Sequence, residues 1–318
     1  MSKLSIHAKG FLLTFIGVLV LTPDTLLIRL ANMDVWQMTF WRGCLMSLTI
    51  FLALAVIYKK DFFNRIFAIG RTGVVIAILL AINSLTFVLS LEYASVAKVL
   101  VIIAIIPMLA ALMSIVFLKE HINRGTWIAI VVSIIGIAIV VSDDFLNIDV
   151  SDGFLNVVVN GDFLNGNQTN EMWGSLFATL TAIGLAGAFT LTRSKPDINM
   201  VPATALNGLM IATCLLPFVW PLQITDAQVG PILTIGLVIL PISFGLLALG
   251  PRYIPAPEVG LLLLLETCLG PLWVWLVLNE QPPLPVVVGG FIVVLTLASH
   301  AIWSLRQKQK IRKQAFAI

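Results

Sequence analysis

The sequence predicts an all-α integral membrane protein with ten transmembrane helices, arranged as two inverted five-helix repeats. The chain of 318 residues contains ten apolar stretches of about 20 residues, a length that crosses a hydrocarbon core of about 30 Å as a helix. Of its residues, 59% are hydrophobic and 11% are charged, whereas a soluble domain carries about 25% charge. Each half holds five stretches, and this odd number requires the second half to be inverted relative to the first.

Most connections between the predicted spans are short, so consecutive helices should be antiparallel neighbours. The first stretch is interpreted as a spanning helix rather than a signal peptide, because it is full-length and has no small-residue cleavage site. In chain order the spans are expected at about 10–31, 36–58, 70–91, 95–118, 125–142, 171–193, 200–222, 229–250, 256–278 and 284–305.

Lys and Arg residues indicate the orientation of the chain, since the cytoplasmic loops of membrane proteins are rich in both. With the N-terminus in the cytoplasm, all of the 19 basic residues except Arg29, Arg42 and Lys98 fall on the cytoplasmic side. The opposite orientation would place the same residues outside. We therefore expect a multi-pass protein of the inner membrane with both termini in the cytoplasm.

The connection 143–170 is the long one, and it carries Asp residues but no Lys or Arg, as an external loop should. The triplet Phe-Leu-Asn starts in it at Phe145, Phe154 and Phe163. One interpretation is a calcium-binding or lid-like flap, and the other is an external hairpin or amphipathic cover on the rim of the bundle. The glycine-rich pattern of calcium-binding β-helices is missing, which favours the cover.

A second repeat relates the two halves at a shift of 160 residues. Glu120 then coincides with Glu280, and both lie at the end of a predicted helix. Pro107 coincides with Thr267, which directly follows Glu266. Because an inverted repeat places the substrate site between the halves, we expect a central site near the midplane of the bilayer.

Short motifs at corresponding places of the two halves carry a family resemblance. They are Trp41-Arg42, Leu91-Glu92-Tyr93-Ala94-Ser95, Pro107, Leu118-Lys119-Glu120, Trp127 and Gly136 in the first half, and Tyr253, Glu266 and Asn279-Glu280 in the second. Over about 10–142 and 171–305 the pattern resembles the EamA family of the drug/metabolite transporter superfamily. The chain departs from the family where Thr267 replaces the usual proline after Glu266, and at Thr296, where glycine is expected.

The resemblance implies a transporter in which helices one to four and six to nine surround a cavity, with helices five and ten at the periphery. It also implies export as the direction. The superfamily carries amino acids, drugs, nucleosides, vitamins and other metabolites, so the resemblance leaves the substrate class open.

Charged side chains inside the spans are the first functional candidates, because an ionisable group in lipid is costly and usually functional. Glu266 lies near the centre of the ninth span, directly after a run of leucines. Its carboxyl must pair, face water or take up a proton. We expect Glu266 to be the proton-coupling site, and the alternative is a neutral carboxyl bonded to a neighbouring helix.

Asp24, Trp41 and Arg42 are expected to bind the substrate in the outer part of the cavity. Asp24 follows Pro23, whose missing amide hydrogen opens a backbone carbonyl to the cavity. Asp24 would bind a cationic group or pair with Arg42. Arg42 would neutralise Asp24, hold a substrate carboxylate or extend outward to the interface. Trp41 is either a stacking platform or a packing aromatic.

Two amides complete the expected substrate-binding residues. Asn83 lies near the middle of the third span and Asn207 near the middle of the seventh. Hydrogen bonding between helices is the alternative for both. Glu120 and Glu280 are interpreted as boundary residues that contact a loop or an adjacent helix.

Other chemistries find no support in the sequence. It contains no phosphate-binding loop of the type GxxxxGK[ST], no HExxH, no GxSxG and no paired Cys/His cluster. The three cysteines are interpreted as small packing residues of the spans. His7, His121 and His300 are interpreted as isolated and peripheral. We therefore expect no catalytic residue, no metal site and no cofactor.

These observations predict a secondary transporter that moves, with export favoured, a small organic metabolite such as an amino acid by proton-coupled alternating access. An integral-membrane enzyme and a channel-like facilitator are the alternatives. The expected partners are a small-molecule substrate and the lipid bilayer, with no nucleic acid, and a homodimer is left open. The chain should divide into a first repeat at 10–142, an external acidic loop at 143–170, a second repeat at 171–305 and a basic cytoplasmic tail at 306–318.

Overall fold

The structure is a computed structural model, and every regular element in its described part is a helix. Lys98, Glu280 and the Phe-Leu-Asn triplets of the acidic loop lie outside that part, so the expectations for them stay predictions. The described residues are 6–94, 99, 102–140, 166–222, 224–278 and 284–315.

The helices that build the bundle are numbered α1 to α13 in chain order. In the first half they are α1 (Ile6–Leu21), α2 (Asp24–Ala31), α3 (Val35–Tyr58), α4 (Phe62–Phe67), α5 (Gly70–Tyr93), α6 (Ile106–Met113) and α7 (Arg124–Val140). In the second half they are α8 (Gly166–Ser194), α9 (Val201–Val219), α10 (Asp226–Thr234), α11 (Leu240–Leu249), α12 (Ala256–Leu278) and α13 (Leu284–Ala315). One π-helical turn, Ser114–Leu118, follows α6, and another, Ile235–Ile239, joins α10 to α11.

Within the described residues, 7 helices are long and apolar enough to cross a membrane. They correspond to the first three and the sixth to ninth predicted spans. The other predicted spans form shorter apolar helices, at Ile106–Leu118, Arg124–Ile139 and Val287–Trp303. The chain is therefore a multi-pass membrane protein, while a total of ten spans stays a prediction.

The outer surface of the bundle is apolar, as lipid contact requires. The side chains of Val56, Phe117 and Phe218 are 73%, 74% and 80% exposed. Soluble monomers rarely expose large contiguous patches of this kind, because apolar surface in water is unfavourable. This surface is suited to the hydrocarbon core of a bilayer.

The first predicted span is interrupted next to Asp24. Pro23 has no amide hydrogen to continue the helix, and it stands between α1 and α2. Asn32, with a φ of 41°, ends α2 in the left-handed conformation. The side chain of Asp34 then begins α3 by accepting hydrogen bonds from two backbone amides of its first turn, at 3.1 and 3.3 Å.

The last helix continues beyond its apolar part. The basic tail predicted from residue 306 onward is helical as far as Ala315. Lys, Arg and Gln are good helix formers. Extension of α13 into this tail is therefore favourable once its apolar part is helical.

The helix contacts pair the two halves symmetrically. Three helix pairs join corresponding spans of the two halves: α3 with α9, α6 with α12, and α7 with α13. α1 packs against α11, and α5 packs against α8. These two contacts are equivalent, because α1 and α8 are the first spans of their halves, and α5 and α11 are the third. The bundle therefore consists of two related repeats.

Glycines permit a close crossing of α3 and α9. A Cβ atom on Gly208 would collide with the carbonyl oxygen of Gly43, and one on Gly43 would lie 3.0 Å from the carbonyl oxygen of Gly208. A backbone oxygen cannot move away without its helix, so the crossing needs small residues here. The hydroxyl of Ser47 donates to the carbonyl oxygen of Ala205 at 2.8 Å and adds a polar contact between the same helices.

Replacing Gly208 by Ala should force α3 and α9 apart and lower the stability of the purified protein by about 1–3 kcal/mol, the usual cost of overpacking. The matched control is Gly245→Ala, because a Cβ there meets no atom within 4 Å. Thermal unfolding in detergent should show a lower melting temperature for Gly208→Ala alone. An unchanged melting temperature in that variant would contradict the close crossing.

Candidate functional site

A cavity of about 130 Å³ lies in the middle of the bundle, between the two repeats. It is lined from the first half by α1, α2, α3, α5 and α6, and from the second half by α8, α9, α11 and α12. No described residue of α7 or α13 lines it. The fifth and tenth predicted spans are thus peripheral, as the sequence resemblance implies.

The cavity wall is mostly apolar and holds few polar groups. Within the described part of the chain, its charged residues are Asp24, Arg42 and Glu266. The uncharged polar side chains of the lining are those of Thr39, Asn83, Ser84, Thr181 and Asn207. Five of the six predicted substrate-binding and coupling residues therefore share one wall, although they come from five different helices.

Asp24 and Arg42 form a two-point ion pair on this wall. The Nη1 and Nη2 atoms of Arg42 donate to Oδ1 and Oδ2 of Asp24 at 3.0 and 2.8 Å. The two side chains are largely buried, with 17% of Arg42 and 6% of Asp24 exposed. The break at Pro23 presents Asp24 at the start of α2, and Arg42 lies about two turns into the neighbouring α3. The sequence left several roles open for Asp24 and Arg42, and in the structure the two side chains pair with each other.

Glu266 lines the same cavity from α12, without a partner of its own among the described residues. Within the described residues its carboxyl forms no ion pair and no hydrogen bond, and the Asp24–Arg42 pair lines the same cavity. Leu264 and Leu265 before it are buried. The carboxyl of Glu266 is therefore free to bind a proton or a cationic group.

The two predicted amides differ in their bonding. Nδ2 of Asn83 donates to the carbonyl oxygen of Thr181 at 3.1 Å, which links α5 to α8. Asn207 is 1% exposed, and neither atom of its amide has a hydrogen-bond partner among the residues that the structure describes. An unpaired buried polar group costs about 1–3 kcal/mol. Asn83 thus forms an interhelical hydrogen bond, whereas the amide of Asn207 lines the cavity without one among the described residues.

Trp41 does not line the cavity. Its ring packs edge-on against Phe40, with the ring centroids 5.3 Å apart, and it contacts the buried apolar cluster. Adjacent residues of a helix point about 100° apart, so Arg42 can face the cavity while Trp41 faces its neighbours. A stacking role for Trp41 has no support in this geometry.

His7 is neither isolated nor peripheral, and that prediction was wrong. Its ring is 5% exposed, and its Nε2 lies 2.7 Å from Oε2 of Glu258. His300 is likewise partnered, because its Nε2 lies 3.2 Å from the hydroxyl oxygen of Thr126. In both cases a distant part of the chain supplies the partner, so sequence spacing could not identify it.

Polar contacts join the helices at the end of the bundle that carries the N-terminus. Nε of Arg193 donates to Oε1 of Glu120 at 2.8 Å, which gives Glu120 the role of a boundary residue in contact with an adjacent helix. Nε of Arg252 donates to the carbonyl oxygen of Pro196 at 2.6 Å. With the His7–Glu258 pair, these contacts tie helices together at the N-terminal end of the bundle.

Comparison with known proteins adds independent support for the two repeats. The EamA-like transporter family matches residues 8–142 and 172–299, one match in each half. A solved structure described only as a protein crystal structure has a TM-score of 0.73 and 13% sequence identity. The alignment covers 92% of this chain and 98% of that one, which shows a shared fold. No curated protein matches the chain.

The two family matches together cover well over half of the sequence, and each falls on one of the symmetric halves of the bundle. Their outer bounds enclose the cavity and all of its charged lining residues. The chain therefore belongs to the EamA-like transporter family of the drug/metabolite transporter superfamily.

Proposed function

We propose that this protein is a secondary transporter that moves a small organic metabolite by alternating access, with protons coupled to transport through Glu266. The observation that carries the proposal is the carboxyl of Glu266, which has no partner in the described part of the chain and lies in a cavity between two repeats. Membership of a transporter family supports transport as the activity. Asp24, Arg42 and Asn207 complete the polar part of the substrate site.

Coupling follows from the cost of an isolated charge in a closed, largely apolar cavity. An ionised Glu266 without a partner is strongly disfavoured once water is excluded. A bound proton or a bound substrate group removes that cost, so the protein can switch the cavity from one side of the membrane to the other when either is bound. The empty, ionised form cannot readily do so. A proton bound on one side is thereby exchanged for substrate bound on the other.

Alternating access requires one end of the cavity to close while the other opens. The Glu120–Arg193 and His7–Glu258 contacts join the two repeats at the N-terminal end, and in this proposal they form the gate that closes that end. Rocking of one repeat against the other would break them and open that end. The Asp24–Arg42 pair joins adjacent helices of one repeat, so it can persist through such a movement.

The proposal includes an inner-membrane location, cytoplasmic termini and export, each supported by the basic residues or by the family resemblance. A single cysteine at Gly161 should react with a membrane-impermeant maleimide in intact cells, and one at Gln309 should react only after permeabilisation. The background for both variants replaces Cys44, Cys214 and Cys268 by Ala. The reverse labelling pattern would contradict this orientation.

Transport itself is tested by uptake into vesicles reconstituted with purified protein, using a panel of amino acids, organic amines and nucleosides. We expect at least one compound to accumulate saturably above its external concentration when a pH gradient is imposed, and to be recovered unchanged. Accumulation excludes a channel-like facilitator, and unchanged recovery excludes an enzyme. Equilibration without accumulation for every compound would contradict coupled transport.

A further inference from the structure

We infer that the substrate of this cavity is an organic cation: a protonated amine on an apolar body, without a carboxylate. The inference rests on the proposed function and narrows its substrate class. Two observations support it: the charges on the cavity wall, and the pairing of two of these charges with each other.

The pairing leaves the described wall with one available charge, and that charge is negative. Arg42 uses both terminal nitrogens on the two oxygens of Asp24, so this pair is neutral and its strongest contacts are taken. Glu266 is the remaining charged residue of the described lining, and it has no hydrogen bond or ion pair there. With Glu266 ionised, the three side chains sum to one negative charge.

A substrate carboxylate finds no free cation on this wall. Arg42 is the sole basic residue among the described lining residues. Transferring its guanidinium to a substrate would leave Asp24, with 6% of its side chain exposed, as a buried charge without a partner. Removing one partner of a buried ion pair is strongly unfavourable. Amino acids and organic anions are therefore disfavoured as substrates. In this respect the inference departs from the sequence-based expectation, which named an amino acid as an example.

A protonated amine matches the groups that remain. Its ammonium would donate to the carboxylate of Glu266. A further N–H of the substrate could donate to the amide oxygen of Asn207, which has no partner among the described residues. Its apolar body would contact side chains of the lining such as Phe244, Leu247 and Leu263. Charge and hydrophobic burial would then favour the same ligand.

The test compares three probes that share a phenyl ring and differ in charge: phenethylamine, phenylalanine and phenylpropionate. Each is titrated into the purified wild-type protein at mildly alkaline pH, and binding is measured by calorimetry and by the shift in melting temperature. We expect saturable binding of phenethylamine, and affinities at least about tenfold lower for the other two, because burying their carboxylate without a free cation has a cost that phenethylamine does not have. Equal affinity for phenylalanine, or no binding by any probe, would overturn the inference.

Two substitutions assign the selectivity to particular charges. Glu266→Gln should weaken phenethylamine binding roughly tenfold or more, whereas Glu92→Gln, at an exposed carboxyl outside the lining, should leave it unchanged. Asp24→Asn should free Arg42 and so increase the affinity for phenylalanine. Unchanged phenethylamine binding in Glu266→Gln would overturn the inference even if Asp24→Asn does not fold.

Vesicle uptake tests the cation inference and the proposed transport separately, because each can fail without the other. Accumulation of phenylalanine but not phenethylamine under a pH gradient, corrected with protein-free vesicles, would overturn the cation inference and leave coupled transport in place. Glu266-dependent binding of phenethylamine without accumulation of any compound would support the cation site and contradict the proposed transport.

Discussion

Glu266→Gln should abolish the accumulation of substrate under a pH gradient and still allow exchange of substrate across the membrane. Glutamine has nearly the shape of a protonated glutamate, so the variant should fold and change its access. It can neither bind nor release the proton, and accumulation should fall to the level seen without a gradient. Exchange is measured at substrate concentrations raised to offset weaker binding.

The control for this prediction is Glu92→Gln, which removes an exposed carboxyl that does not line the cavity. It should accumulate substrate as the wild type does. Gradient-driven accumulation at the wild-type rate in Glu266→Gln would remove Glu266 from the coupling mechanism and leave it as a helix-packing residue.

Asp24→Ala and Arg42→Ala should each destabilise the protein by about 3–5 kcal/mol, because each leaves a largely buried charge without its partner. The double substitution removes both charges, so its loss should be smaller than the sum of the single losses. Residues in direct contact typically couple by about 0.5–3 kcal/mol. The measurement is unfolding of the purified variants by denaturant in detergent.

A matched cycle combines Asp24→Ala with Arg65→Ala, whose guanidinium lies over the ring of Tyr58. The two residues share no contact, so their losses should add to within about 0.5 kcal/mol. If the losses of stability at Asp24 and Arg42 also add, the two residues do not stabilise the protein through their contact. Arg42 then becomes a candidate for direct contact with a substrate carboxylate.

The bundle could be predicted from the sequence because hydropathy reports directly on helices that must satisfy their backbone groups inside lipid. The same reasoning located the charges of the cavity, since ionisable residues in apolar spans are few. Asp24 and Arg42 lie on consecutive antiparallel spans, which made their pairing one of the foreseeable alternatives. The break at Pro23 was also foreseeable, because proline has no amide hydrogen.

Contacts that depend on helix rotation or on distant parts of the chain could not be predicted. Trp41 and Arg42 are neighbours in sequence, and a near-uniformly apolar helix carries little signal of which one faces the cavity. The His7–Glu258 pair joins α1 to α12, so its formation depends on how the two repeats pack. The unpaired amide of Asn207 depends likewise on the surrounding helices.

The central claim, that Glu266 exchanges a proton for substrate, is tested most directly by substrate-driven proton movement in vesicles without an imposed pH gradient. A pH-sensitive dye is trapped inside, and a transported compound is added outside. The account predicts that the interior of wild-type vesicles becomes alkaline faster than that of protein-free vesicles, as protons leave in exchange for entering substrate, and that vesicles with Glu266→Gln do not exceed the protein-free rate. Substrate entry into wild-type vesicles at constant internal pH would contradict it.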